Sequence, residues 1–122
     1  MSDMKKILIV EDVEINRDLL TQLLEDRYQL IEAFDGRQGL EMAAQVRPDL
    51  ILLDISLPEM DGYEVAQRLR ADPALKHIPI IAVTAHAMTG DEERTIEEGF
   101  DGYLPKPIDE EELWAELEKH LG

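Results

Sequence analysis

The chain has 122 residues, with 28 acids against 12 Lys and Arg, a formal charge of −16 and no cysteine. The length suits one domain with one core, and the missing cysteine excludes a disulfide framework, a thiolate nucleophile and a zinc–thiolate site. The charge opposes a nucleic-acid surface, which needs cations, and no apolar run reaches the roughly 20 residues of a membrane span or resembles a signal peptide, so a cytoplasmic protein without a membrane partner is expected.

In chain order, Lys5–Val10 reads as a strand that ends in two acids, Glu11 and Asp12. A helix from about Glu14 to Asp26 follows, with Leu19, Leu20, Leu23 and Leu24 on one face. Gln29–Ala33 is a mixed polar and apolar strand, as at a sheet edge. Asp35 with Gln38 has the spacing of a capping box and starts the second helix.

Leu50–Leu53 is a strand of four apolar residues that leads straight into Asp54, then Ser56 and the turn residues Pro58 and Gly62. Asp61 with Glu64 opens the third helix, and Asp72-Pro73 stops it. Ile80–Val83 is the fourth strand and leads to Thr84. The fourth helix, Thr89 to Glu98 with Glu92 at capping distance, has one large apolar residue, Ile96, so it is expected to be the least firmly held. Gly102–Leu104 is a short strand followed by Pro105 and Lys106. Asp109 with Glu112 opens the last helix, whose Leu113, Leu117 and Leu121 repeat every four residues.

The runs ILIV, LILL and IIAV lack period-two alternation, which marks parallel strands covered on both faces. Five β-α units give an α/β, doubly wound, five-stranded parallel sheet, expected to fill residues 1–122 as one domain. Ligands in such sheets bind outside the carboxyl ends of the strands. Those ends carry Glu11, Asp12, Asp54, Thr84 and Lys106. A lone acid after a strand is ordinarily just solvated. Complementary groups at several strand ends are a different matter. Two unit charges about 4 Å apart repel by roughly 4 kcal/mol at an effective dielectric of about 20. Lys106 offsets part of that, and a hard divalent ion such as Mg²⁺ would offset the rest.

With these residues placed, the chain resembles the receiver domain of bacterial two-component response regulators over Lys5 to Leu121. The resemblance rests on ILIVED (7–12), LILLDISLPEMDG (50–62), IIAVTAHAM (80–88) and YLPKPI (103–108). It implies a flavodoxin-like (β/α)5 fold with strand order 2-1-3-4-5. It also implies that Asp54 accepts a phosphoryl group from a phosphohistidine. Glu11, Asp12, Asp54 and the main-chain carbonyl of Ser56 would then hold Mg²⁺, with Mn²⁺ as a substitute. Thr84 and Lys106 would contact phosphoryl oxygens, Thr84 and Tyr103 would form a switch, and the Lys106-Pro107 bond would be cis. Ser56 and His86 would tune loss of phosphate, although His86 as a plain loop residue remains the alternative.

The expected partners are a sensor histidine kinase or a histidine phosphotransfer protein, and an unidentified downstream protein. The switched face would be the fourth helix, fifth strand and fifth helix. The expectation is a signalling phosphoacceptor, not a turnover enzyme. The initial Met1 and the tidy end favour a stand-alone protein. A receiver excised from a hybrid kinase or larger regulator, and an unphosphorylated pseudo-receiver used for docking, are the alternatives. A haloacid-dehalogenase-type phosphatase would need an acid where Ser56 stands. A flavodoxin-like cofactor carrier would need a phosphate loop where EDVEIN (11–16) stands, and those acids would repel a phosphate.

Overall fold

The computed structural model describes residues 4–85 and 91–121. The strands are β1 (Lys6–Val10), β2 (Gln29–Ala33), β3 (Leu50–Asp54), β4 (Ile80–Thr84) and β5 (Gly102–Pro105). The helices are α1 (Glu14–Leu24), α2 (Gly36–Val46), α3 (Gly62–Ala71), α4 (Asp91–Glu97) and α5 (Glu110–Leu121). All pairings are parallel and the order is β2-β1-β3-β4-β5. The mixed strand Gln29–Ala33 and the short strand at Gly102 are indeed the two edges.

The continuous apolar runs are buried on both faces. Leu8, Val10, Ile51, Leu53, Ile80 and Ala82 face α2 and α3, where Ala43, Val65 and Leu69 meet them, joined by Phe100. The alternate residues, among them Ile7, Ile9, Leu52, Ile81 and Val83, meet Leu20 and Leu24 of α1 and Leu113 and Leu117 of α5. Each such Leu or Ile contributes roughly 1.5–3 kcal/mol by leaving water. The caps form where the spacing placed them: Asp35, Asp61 and Asp109 accept from the amides of Gln38, Glu64 and Glu112 at 2.8, 3.0 and 3.1 Å. The proposed Thr89 cap lies outside the described residues.

One expectation needs correction. Leu19 is 48% exposed, because the sheet contacts only the Leu20 and Leu24 side of α1. Ile96, the large apolar residue of α4, is 51% exposed, and among the described side chains of α4 Thr95 is buried. The His120 side chain at the end of α5 is 17% exposed and lies 3.5 Å from Glu116. The space under Glu116 exists because Gly102 has no side chain; a Cβ there would lie 2.9 Å from Glu116 Oε2. Trp114 is half-buried, stacked on Tyr28.

Candidate functional site: an acidic rim with one ammonium

The carboxyl ends of β1, β3, β4 and β5 lie side by side, so four short segments far apart in sequence meet on one rim. β3 is longer than expected by one residue, and Asp54 is its last, in register with Val83. Asp54 is therefore held by a strand rather than a loop. Its side chain is buried, and Oδ1 accepts from the Ser56 amide at 2.9 Å. β4 is likewise longer by one and ends in Thr84, which is buried. The Thr84 carbonyl accepts from the Lys106 amide at 2.7 Å, and the Lys106-Pro107 peptide is cis.

Glu11 is fixed from several sides. Its amide donates to the Ala33 carbonyl at 3.1 Å, its carbonyl accepts from Arg17 Nη1 at 2.9 Å, and Oε2 accepts from the Val13 amide at 3.0 Å. Sequence reasoning overlooked Arg17, whose guanidinium also lies 4.2 Å over the Phe34 ring. Its signal was a lone cation in the acidic, apolar start of α1.

Lys106 Nζ lies 2.6 Å from Glu11 Oε1 and 3.0 Å from Asp54 Oδ2. Glu11, Asp12 and Asp54 each offer an oxygen, and these oxygens all lie within 4.8 Å of one another. Glu11 and Asp54 are buried, whereas Asp12 is exposed at the mouth. Burial pushes the Glu11 carboxyl above its ordinary value, against the lowering effect of Lys106 and of the Val13 amide, while Asp54 adds repulsion. Burial alone would lower Lys106, but the hydrogen bonds and charges of Glu11 and Asp54 hold it above its ordinary value. One ammonium thus leaves the acid charge under-compensated. A hard-oxygen donor set of this size, with its mouth open to water, fits a divalent ion such as Mg²⁺.

Ser56 is exposed beside Asp54. Tyr103 sits on β5, half-buried against the core cluster that contains Phe100. His86 lies outside the described residues. A cleft of about 90 Å³ opens beside Lys106, lined by Glu11, Asn16, Leu19, Leu20, Pro107 and Ile108.

This is a doubly wound α/β domain whose buried acids and one lysine meet at the carboxyl ends of the strands, where ligands bind in such sheets. The family model of the response regulator receiver domain matches residues 7–118. The chain belongs to that family: it is the receiver domain of a two-component response regulator, a signalling domain. It is 45% identical over 119 residues to the polar-differentiation response regulator DivK of Brucella anthropi, covering 97% of each chain. Among solved structures it is similar to the chemotaxis protein CheY4 of Vibrio cholerae, with a TM-score of 0.89, 31% identity and coverage of 97% and 99%. It is also similar to the receiver domain of the sensor histidine kinase PA1611 of Pseudomonas aeruginosa, with a TM-score of 0.88, 36% identity and coverage of 96% and 97%. That structure has a magnesium ion coordinated in its active-site cleft.

Proposed function

We propose that Asp54 takes a phosphoryl group from a phosphohistidine, and that the phosphorylated domain acts by altered protein contacts. The observation that carries this is the position of Lys106 between Asp54 and Glu11, at 3.0 and 2.6 Å, beside a buried strand-end carboxylate. An ionised Asp54 needs no general base. Its oxygen attacks phosphorus, the P–N bond breaks, and the electron pair returns to the imidazole of the donor.

Phosphoryl transfer demands positioning and charge neutralisation more than covalent help. The strand fixes Asp54, and the Ser56 amide holds one of its oxygens, leaving the other toward Lys106. Lys106 then neutralises charge on the incoming oxygens, and the Thr84 hydroxyl adds a hydrogen bond. Glu11, Asp12, Asp54 and the Ser56 carbonyl would hold Mg²⁺, which supplies further positive charge beside the acceptor. Thr84 and Tyr103 would pass the change to the α4-β5-α5 face, and Ser56 and His86 would govern how fast water removes the group.

The donor would approach beside the cleft at Lys106. Exposed Ile15 (74%) and Leu19 on α1 offer it an apolar landing. Such an edge suits a helical histidine kinase or phosphotransfer domain. Incubation with Mg²⁺ and acetyl phosphate, read by intact mass, tests the proposal. One added phosphoryl group, lost in D54N, is the expected result. An unchanged mass would favour the pseudo-receiver reading instead.

A further inference from the structure

The first turn of α3 is built directly on the loop that follows Asp54. The Gly62 amide donates to the Ile55 carbonyl at 2.9 Å. A Cβ at Gly62 would lie 2.6 Å from the Asp54 carbonyl oxygen and 2.7 Å from Ile55 Cα. Backbone meets backbone here, so α3 cannot stay still if the peptide carrying Asp54 moves.

The next residue, Tyr63, faces the other way, toward α4. Its ring meets Phe100 edge-on, with centroids 6.0 Å apart and planes at 88°. Its face carries the Arg94 guanidinium at 4.2 Å from the centroid. Arg94 belongs to α4 and is itself exposed. α4 has little apolar anchorage, since Ile96 is 51% exposed. A polar seam ties the far end of this helix to α3. Gln67 donates to Glu98 at 2.8 Å. Arg70 donates to the carbonyls of Gly99, Lys76 and Ile78, and also to the Asp101 carboxylate. The carboxyl end of α4 is thus clamped by one arginine, while Arg94 holds the helix body to a ring that rides on the acceptor loop.

We infer that the Tyr63–Arg94 contact is a coupling latch. It holds α4 in its present place against α3, the helix packed on the acceptor loop, so displacement of α4 and binding at Asp54 are linked through it. The inference rests on reading Asp54 as the acceptor. The contact favours the arrangement of α4 seen here. Weakening it makes displacement of α4 easier, and a group at Asp54 that favours the displaced arrangement then binds more tightly, by at most the same factor. A cation over an aromatic ring at an exposed site corresponds to roughly a two- to five-fold change in an equilibrium constant. Tyr63 and Arg94 are positioning residues; neither touches the group on Asp54.

The test uses beryllofluoride with Mg²⁺ as the phosphoryl mimic and follows backbone amides 91–98 by NMR. In R94Q, the unliganded α4 peaks should sit part way along the line from free to bound wild-type positions. The beryllofluoride midpoint should fall, by at most roughly two- to five-fold. Y63L should do the same, and Y63L combined with R94Q should go no further than either alone. Y63F keeps the ring and R94K keeps the cation, so both should restore wild-type behaviour. That rescue separates coupling from a loss of stability. A wild-type midpoint in R94Q, or additive effects in the double variant, would overturn the latch. If the wild-type protein itself showed no response to beryllofluoride, the acceptor reading would fall first and the latch with it.

Discussion

Lys106 and Glu11 meet at 2.6 Å although most of the chain separates them, an ammonium 19% exposed against a carboxylate 3% exposed. Removing the lysine leaves two buried acids facing each other. K106M should lower unfolding stability without Mg²⁺ by roughly 2–4 kcal/mol, since orphaning a buried charge is costly. The same change should tighten Mg²⁺ binding, because a competing positive charge is gone. Urea melts and calorimetric titration check both; an unchanged melt would show the pair to be idle.

The Glu11 carboxyl lies above its ordinary 4.5 because burial favours its protonated form. The folded state therefore holds this proton more tightly than the unfolded chain. Without metal, Glu11 contributes a loss of stability as pH rises from about 4.5 through its raised value. A metal ligand must be ionised, so Mg²⁺ affinity should weaken as pH falls through that same range. E11Q should flatten the stability step and remove most of the metal affinity. Stability melts and Mg²⁺ titrations across acidic pH decide this, with wild-type pH dependence in E11Q as the contrary outcome.

Saturating metal should stabilise the fold in proportion to its binding. At a hundred times its dissociation constant, Mg²⁺ would add about 2.7 kcal/mol. D12N and D54N should each shrink that increment, since their oxygens lie within 4.8 Å of the other ligand atoms. Thermal melts with and without EDTA provide the measurement.

Two glycines should respond differently to alanine. At Gly102 the added carbon meets Ile81 Cδ1 at 2.7 Å and Glu116 Oε2 at 2.9 Å, both ends of flexible side chains. G102A should cost about 1–2 kcal/mol. At Gly62 it meets backbone at 2.6 and 2.7 Å, and nothing there can swing aside. G62A should cost about 3 kcal/mol and alter acetyl phosphate reactivity at Asp54. Equal melts for the two variants would contradict this.

The acidic rim was legible because it follows from the common direction of parallel strands. Apolar runs fix the strands, and whatever polar residue follows each run must emerge at the rim. Asp54 and Thr84 even proved to be the last residues of their strands. Orientation around a helix was harder to read. Leu19 and Leu20 are one residue apart, yet only Leu20 reaches the sheet, since period 3.6 narrows the stripe that a flat sheet can cover. The partly buried Glu116 and His120 pair depends on the missing side chain at Gly102, a neighbour in space and not in sequence. Tyr63 likewise has no mark of its own: its meaning comes from Arg94 and Phe100, which only the fold brings to it.

All five strands run the same way, and α5 returns from the acidic rim over 12 residues, about 18 Å of helix. Lys6, where β1 begins, and Leu121, where α5 stops, consequently both sit at the pole of the molecule remote from Asp54. A tether, dye or neighbouring module joined at either of these points would trail behind the domain and leave its acidic rim pointing outward. Surface-immobilised protein held at Lys6 or Leu121 should accordingly keep the rim of Glu11, Asp54 and Lys106 open to solution.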